Sequence, residues 1–207
     1  MFHIILKHNQ KELERVKKKY NLPDEFFFFF GNTDPKKNTK GALEAFSKFI
    51  ARSDKKIPLI MLDYDKNELS SILSDIGDKD LINYIQLTGY IVNTDLPAIY
   101  KLCTIFLYPS MRESFGIPML EAMGCGTPVI TSNTSSMPEV SGNAALIIDP
   151  HKPEEITEGI FKLLNDKKLY NELREKGFEQ VKKFSWRTMA ENVLKLYEEV
   201  YKEQYKT

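Results

Sequence analysis

The chain has 207 residues, 42% of them apolar, enough for one domain of slightly large size with a sizeable core. Lysine plus arginine equals aspartate plus glutamate at 29 each, so no strong net field points to nucleic acid as a partner. No apolar run approaches a membrane span, Phe2–Leu6 is too short for a secretory signal, and Cys103 and Cys125 form no metal-ligand pair; a reducing, cytoplasmic setting is the expectation.

Residues 1–10 open with a short strand-like run and turn polar. Lys11 to Tyr20 has helical periodicity with Leu13, Val16 and Tyr20 on one face, and its basic residues suit a solvated helix face better than lipid contact. Five consecutive aromatics, Phe26 to Phe30, lack alternation and so predict a central parallel strand buried on both sides. Gly31-Asn32-Thr33-Asp34-Pro35-Lys36-Lys37-Asn38 follows at the carboxyl end of that strand and leads into a helix from Thr39 to Ala51. Leu59–Leu62 is the next strand and Asn67–Ile76 the next helix. Tyr84–Thr88 is a further strand closed by Gly89, followed by Tyr90-Ile91-Val92. A helix opened by Thr94-Asp95-Leu96-Pro97 runs to Cys103, and Thr104–Tyr108 reads as another buried strand.

The next stretch, Ser110 to Ser132, carries two carboxylates eight positions apart, Glu113 and Glu121, with Ser114-Phe115-Gly116-Ile117-Pro118 between them. Pro118 suits the first turn of a helix, and Gly124 and Gly126 stop that helix after about two turns. Thr127–Thr131 is then a strand. Unpaired N–H groups and a partial positive charge make the start of such a helix a site for phosphate, and Gly116 lets backbone approach a ligand closely. Glu121, about one turn in, is placed to accept two ribose hydroxyls, and Glu113 faces what lies beyond the phosphates. Taken singly, each carboxylate would suit a plain role, as a dipole partner or a solvated loop charge; the spacing with glycine and proline between them favours the ligand reading.

After a short turn at Met137–Ser141, Ala144–Ile148 is a final strand. Helices follow at Pro153–Asn165 and Lys167–Phe184, the latter broken at Gly177. A third is capped by Ser185, with Met189, Val193, Leu196, Tyr197 and Val200 as its apolar stripe and Trp186 as a core anchor. About six strands alternating with helices predict an α/β fold, a doubly wound, Rossmann-like parallel sheet with additional C-terminal helices. Residues 1–22 are expected to form a lead-in strand and helix, 23–150 the core sheet and 151–207 the C-terminal helices of one domain with an anionic, nucleotide ligand. Ligands of such sheets sit outside the carboxyl ends of the strands, where the loops after Phe30, Thr88 and Tyr108 converge. Ser114 has no His–Asp arrangement to activate it, His3, His8 and His151 are scattered, and no Gly-x-Gly-x-x-Gly follows the first strand, which argues against hydrolase and nicotinamide readings.

The run from Glu113 to Ile130 resembles the Glu-x7-Glu signature of family 4 retaining glycosyltransferases, and Gly31–Asn38 is similar to their lysine-bearing loop. The likeness extends through Thr88-Gly89-Tyr90, Ser136-Met137-Pro138-Glu139-Val140 and Phe184-Ser185-Trp186, covers about residues 11–200, and is nearest to mannosyltransferase-like members. It implies the donor-binding half of a GT-B enzyme, which moves a sugar from a nucleoside diphosphate (GDP-mannose or a UDP-sugar) with retained anomeric configuration. Glu121 would bind ribose, Glu113 would contact and position the donor sugar, and Lys37 would neutralise the diphosphate with the backbone N–H groups of Gly116 and Ile117. Tyr90 and Ile91 would flank the base, and Asn32, Lys36, Ser114 and Phe115 complete the donor-binding set. Many members carry an arginine where Asn32 stands, which moves phosphate charge onto Lys37 and Lys36. No metal or other cofactor is expected. The N-terminal acceptor domain of GT-B is absent from these residues, so the expected partner is that domain or a separate chain, through which any contact with the membrane inner face would come, and the isolated chain is expected to be nearly inactive. The alternatives are a non-catalytic donor-binding subunit and half of a sugar-nucleotide epimerase or phosphorylase.

Overall fold

The computed structural model describes residues 10–62 and 64–205; the opening strand-like run, with His3 and His8, lies outside the described residues. Six strands form one sheet: β1 (Phe27–Phe29), β2 (Leu59–Met61), β3 (Ile85–Leu87), β4 (Ile105–Tyr108), β5 (Val129–Ser132) and β6 (Leu146–Ile148). Their spatial order is β3-β2-β1-β4-β5-β6, and every neighbouring pair is parallel. The doubly wound, Rossmann-like α/β fold expected from the alternation of elements is therefore the fold observed.

The phenylalanine run explains why the sheet is centred where it is. Phe28 pairs with Ile60 on one side and Phe106 on the other, so β1 has a neighbour along both edges. Phe27 and Phe29 point into one core layer and Phe26 and Phe28 into the other, all fully buried. Over the first layer lie α2 (Thr39–Arg52), α3 (Lys66–Asp75) and α7 (Pro153–Asn165), with Phe27 edge-on to Phe49 at a centroid distance of 5.1 Å. Over the second lie α1 (Gln10–Lys19), α4 (Leu96–Leu102), α5 (Ile117–Gly124) and α6 (Met137–Ser141), with Phe28 edge-on to Tyr100 at 5.5 Å. Each face of the run thus contacts aromatic side chains on a different set of helices, and edge-to-face geometry adds to the area buried.

The structure corrects several readings of the sequence. The helix α8 (Lys167–Lys182) runs unbroken through Gly177. A Cβ there would stand 3.3 Å from Cβ of Met123, so the glycine lets α8 approach α5 closely and does not break the helix. The basic face of α1 is not simply solvated. Arg15 and Lys19 both pair with Asp95, which is 1% exposed, and the Tyr20 hydroxyl donates to the same carboxylate at 2.8 Å. Burial alone would raise the Asp95 carboxyl, but hydrogen bonds from Lys19, Arg15 and Tyr20 outweigh it and hold it at about 2.

The last helix, α9 (Trp186–Tyr205), has the predicted cap, with Ser185 Oγ accepting from the Thr188 N–H at 2.9 Å. Its stripe is amphipathic but buries nothing: Met189, Val193, Leu196, Tyr197 and Val200 are all at least 40% exposed. Trp186 is likewise 52% exposed and anchors no core. The helical spacing produces the apolar face, and no described element packs over it. No helix among the described residues is long and apolar enough to cross a membrane.

Candidate functional site

The sheet order changes direction between β1 and β4. The chain leaves β1 into α2 on one face and leaves β4 into α5 on the other, so the two loops diverge and open a crevice at the carboxyl edge. On the β1 side, the loop is folded by its own side chains. Asn32 Oδ1 accepts from the Asp34 N–H at 2.9 Å, Asp34 Oδ1 accepts from the Lys36 N–H at 3.0 Å, and Pro35–Lys37 completes a 3-10 turn. Asn38, in the left-handed region at φ +57, donates through Nδ2 to the carbonyls of Pro109 (3.1 Å) and Pro150 (2.8 Å). It therefore ties together the chain leaving β1, β4 and β6. The Met111 N–H donates to the Lys36 carbonyl at 2.7 Å, a second tie across the crevice.

Those ties bring Lys37 and Glu113 together across the crevice. Nζ lies 2.5 Å from Glu113 Oε1, and both side chains are only 12% exposed. The ammonium also stands 5.3 Å from the centre of the Tyr108 ring, within cation–π range. Tyr108 is itself buried, and burial first, then the Glu113 charge, keeps its hydroxyl protonated. The Glu113 backbone is fixed from the loop between β5 and α6: Ser135 and Ser136 Oγ donate to its carbonyl at 2.7 and 3.0 Å, and its N–H donates to Ser135 Oγ at 3.3 Å.

Gly116 caps α5 with φ +91, where a side chain would be strained. A Cβ would also lie 3.2 Å from Cε of Met137. Ile117 and Pro118 open the first turn; Pro118 has no N–H and the Met119 N–H donates to the Gly116 carbonyl at 3.1 Å, so the N–H groups of Gly116 and Ile117 are those the helix start offers to a ligand. Glu121 follows about one turn on and accepts from the Tyr100 hydroxyl through Oε2 at 3.2 Å. Burial raises its carboxyl above the ordinary glutamate range, and the Tyr100 hydrogen bond works against that rise.

Of the other sequence-predicted residues, Lys36 is exposed and pairs with Asp34 at 2.8 Å, not with Glu113. Asn32 is exposed and spends its side chain on its own loop. Ser114 is exposed, and Phe115, 41% exposed, meets Phe184 edge-on at 5.5 Å. Tyr90 is 73% exposed, whereas Ile91 is 5% exposed and packs into the core layer beneath α4. Reading the sequence missed Asn38, Tyr100, Tyr108, Ser135 and Ser136. The polar run Ser132–Ser136 at the end of a predicted strand was the available signal for the last two. Among the described residues, no group of three or more His, Cys, Asp or Glu is arranged to hold a metal ion.

Residues 10–180 match the family model described as glycosyl transferases group 1. The serotype-specific mannosyltransferase WbdA of Escherichia coli is 32% identical over 188 residues, which is 90% of this chain and 23% of that protein. The O-antigen chain mannosyltransferase B of Escherichia coli is 34% identical over 185 residues, covering 88% of this chain and 48% of that protein. Among solved structures, Anabaena Alr3699/HepE in complex with UDP and glucose superposes with a TM-score of 0.77 at 17% identity, over 94% of this chain and 54% of that one. The chain thus spans between about a quarter and a half of the length of these curated relatives. With a family match over most of its length, relatives above 30% identity and the fold of a glycosyltransferase half, the chain belongs to the glycosyl transferases group 1 family.

Proposed function

We propose that this chain is the donor-binding domain of a retaining hexosyltransferase and that it holds a nucleoside-diphosphate sugar in the crevice between β1 and β4. The observation that carries the reading is the Lys37 ammonium, set at 2.5 Å from Glu113 beside the glycine-capped start of α5, with Glu121 one turn further on. In this reading the diphosphate lies on Lys37 and on the N–H groups of Gly116 and Ile117, with Lys36 at the rim. Glu121 takes the ribose hydroxyls, Tyr90 covers the base and Glu113 meets the transferred sugar. Lysine and the helix start supply the counter-charge, so no step of the proposal uses a metal.

The mannosyltransferase names of the relatives support mannose as the sugar, for which we propose GDP-mannose as the donor, and the UDP bound in the Anabaena structure supports a UDP-sugar as the alternative. The test is a thermal-shift panel of GDP, UDP and ADP at millimolar concentration: one of them should raise the melting temperature, and Glu121→Ala should abolish the rise. Failure of all three would refute the reading.

A second chain or domain belongs to the proposal as well. The relatives are two to four times longer, and the apolar face of α9 has no described element over it. We assign that face and the acceptor side of the cleft to the missing half, so the isolated chain should bind donor yet hydrolyse it only slowly, because one wall that excludes water is absent. The free, buried thiols of Cys103 and Cys125 support a reducing, cytoplasmic setting. Transfer to a defined acceptor by the purified 207-residue chain would refute the two-part reading.

A further inference from the structure

We infer that Tyr100 is a positioning residue for ribose recognition: its hydroxyl holds the Glu121 carboxylate in the orientation that accepts the two ribose hydroxyls. The inference rests on the ribose role proposed above for Glu121 and adds the group that sets its geometry.

Tyr100 lies in α4, on the chain segment before β4, and its side chain is fully buried. The ring is held edge-on by Phe28 at 5.5 Å and by Phe106 at 5.2 Å, side chains of the two central strands. Its backbone is held too, because its carbonyl accepts from Thr127 Oγ1, and the Thr127 N–H donates to Ala122 in the helix that carries Glu121. The tyrosine is thus tied to the C-terminal half of α5, through Glu121, and to Thr127 just beyond that helix, and its rotamer is fixed by packing before any ligand arrives.

The hydroxyl emerges from this apolar packing at one carboxylate oxygen, Glu121 Oε2, 3.2 Å away. An ionised carboxylate has about four acceptor positions, and among the described residues this is its only protein hydrogen bond, so the remaining positions are open to a ligand. Burial, followed by the Glu121 charge, raises the Tyr100 hydroxyl well above its usual range, so it stays protonated and always donates. A packing role alone would be met by phenylalanine. A hydroxyl directed at a part-buried carboxylate is what orientation requires.

The experiment compares the tightest-binding ribonucleoside diphosphate of the panel with its 2′,3′-dideoxy counterpart and with pyrophosphate, on wild type and Tyr100→Phe. The expected result is a loss of about tenfold for the ribonucleotide, the size of one hydrogen bond to a charged group, with the dideoxy form and pyrophosphate unchanged. The wild-type preference for ribose should thereby shrink, and it should shrink further in Glu121→Gln. Tyr100→Met, which fills the space without a hydroxyl, should give the same pattern and serves if the phenylalanine variant does not fold. If wild type prefers ribose and Tyr100→Phe keeps that preference in full, the inference is overturned while the ribose role of Glu121 stands. If wild type binds both nucleotides equally, the ribose role itself falls and the inference with it.

Discussion

Glu113→Gln should make the empty chain bind pyrophosphate more tightly, although it removes a residue of the proposed site. At an N–O distance of 2.5 Å, the gross attraction between Lys37 and Glu113 is about 7 kcal/mol in an effective dielectric of about 20. Desolvation offsets most of this. Both side chains are 12% exposed, so the net coupling should fall between that of surface pairs and fully buried pairs, about 2 kcal/mol. A diphosphate must share or displace that carboxylate to reach the ammonium. Replacing the carboxylate by an isosteric amide removes both the competitor and a negative charge, so pyrophosphate should gain about tenfold in affinity, less at high salt. Lys37→Met should lose pyrophosphate and leave nucleoside binding nearly unchanged. Calorimetric titration measures the affinities, and a urea-denaturation cycle of both single variants and the double variant measures the coupling. If Glu113→Gln binds pyrophosphate no better than wild type, and the cycle shows under about 0.5 kcal/mol of coupling, then the pair has no part in holding Lys37 ready.

Three further outcomes follow from the geometry. Gly116→Ala should cost about 1–2 kcal/mol, because φ is +91 and the new methyl would crowd Met137, and should lower the melting temperature by about 2–8 °C; a change below one degree would contradict the strained cap. Nucleotide binding should weaken as pH falls through the Glu121 pKa, because the acceptor form is the carboxylate, and burial places that midpoint above the ordinary glutamate value of about 4.3; a titration showing full affinity down to pH 4 would exclude it. Asp95, held at about 2, should contribute stability at neutral pH that is fully present above its unfolded value of about 3.9 and is lost as pH falls toward 2. Asp95→Asn should therefore flatten the acid limb of a pH–stability curve, and an unchanged limb would count against the Arg15–Lys19–Tyr20 network.

Much of the fold was legible because local signals agreed with one another. The unalternating run Phe26–Phe30 demanded burial on both faces, which only a central strand supplies, and β1 is that strand. Gly116, Pro118, Gly124 and Gly126 marked the limits of α5 to within a residue or two, because their backbone preferences are local. From the strand–helix alternation alone, the loops after Phe30 and Tyr108 could be placed at one edge.

What tertiary structure alone decided depends on contacts between residues remote in sequence. Lys37 and Glu113 are 76 positions apart, and only the adjacency of β1 and β4 makes them partners. Asn38 reads as a loop residue, yet it joins carbonyls 71 and 112 positions away. Gly177 looked like a helix break because glycine lowers helix propensity, but the close approach of α5 gives the position its reason. The stripe on α9 shows the same division from the other side. Periodicity determines that a helix has an apolar face, while the elements packed around it determine whether that face is covered; the Glu113–Glu121 spacing likewise points to a candidate site, and only the tertiary fold brings Lys37 and Tyr100 to it.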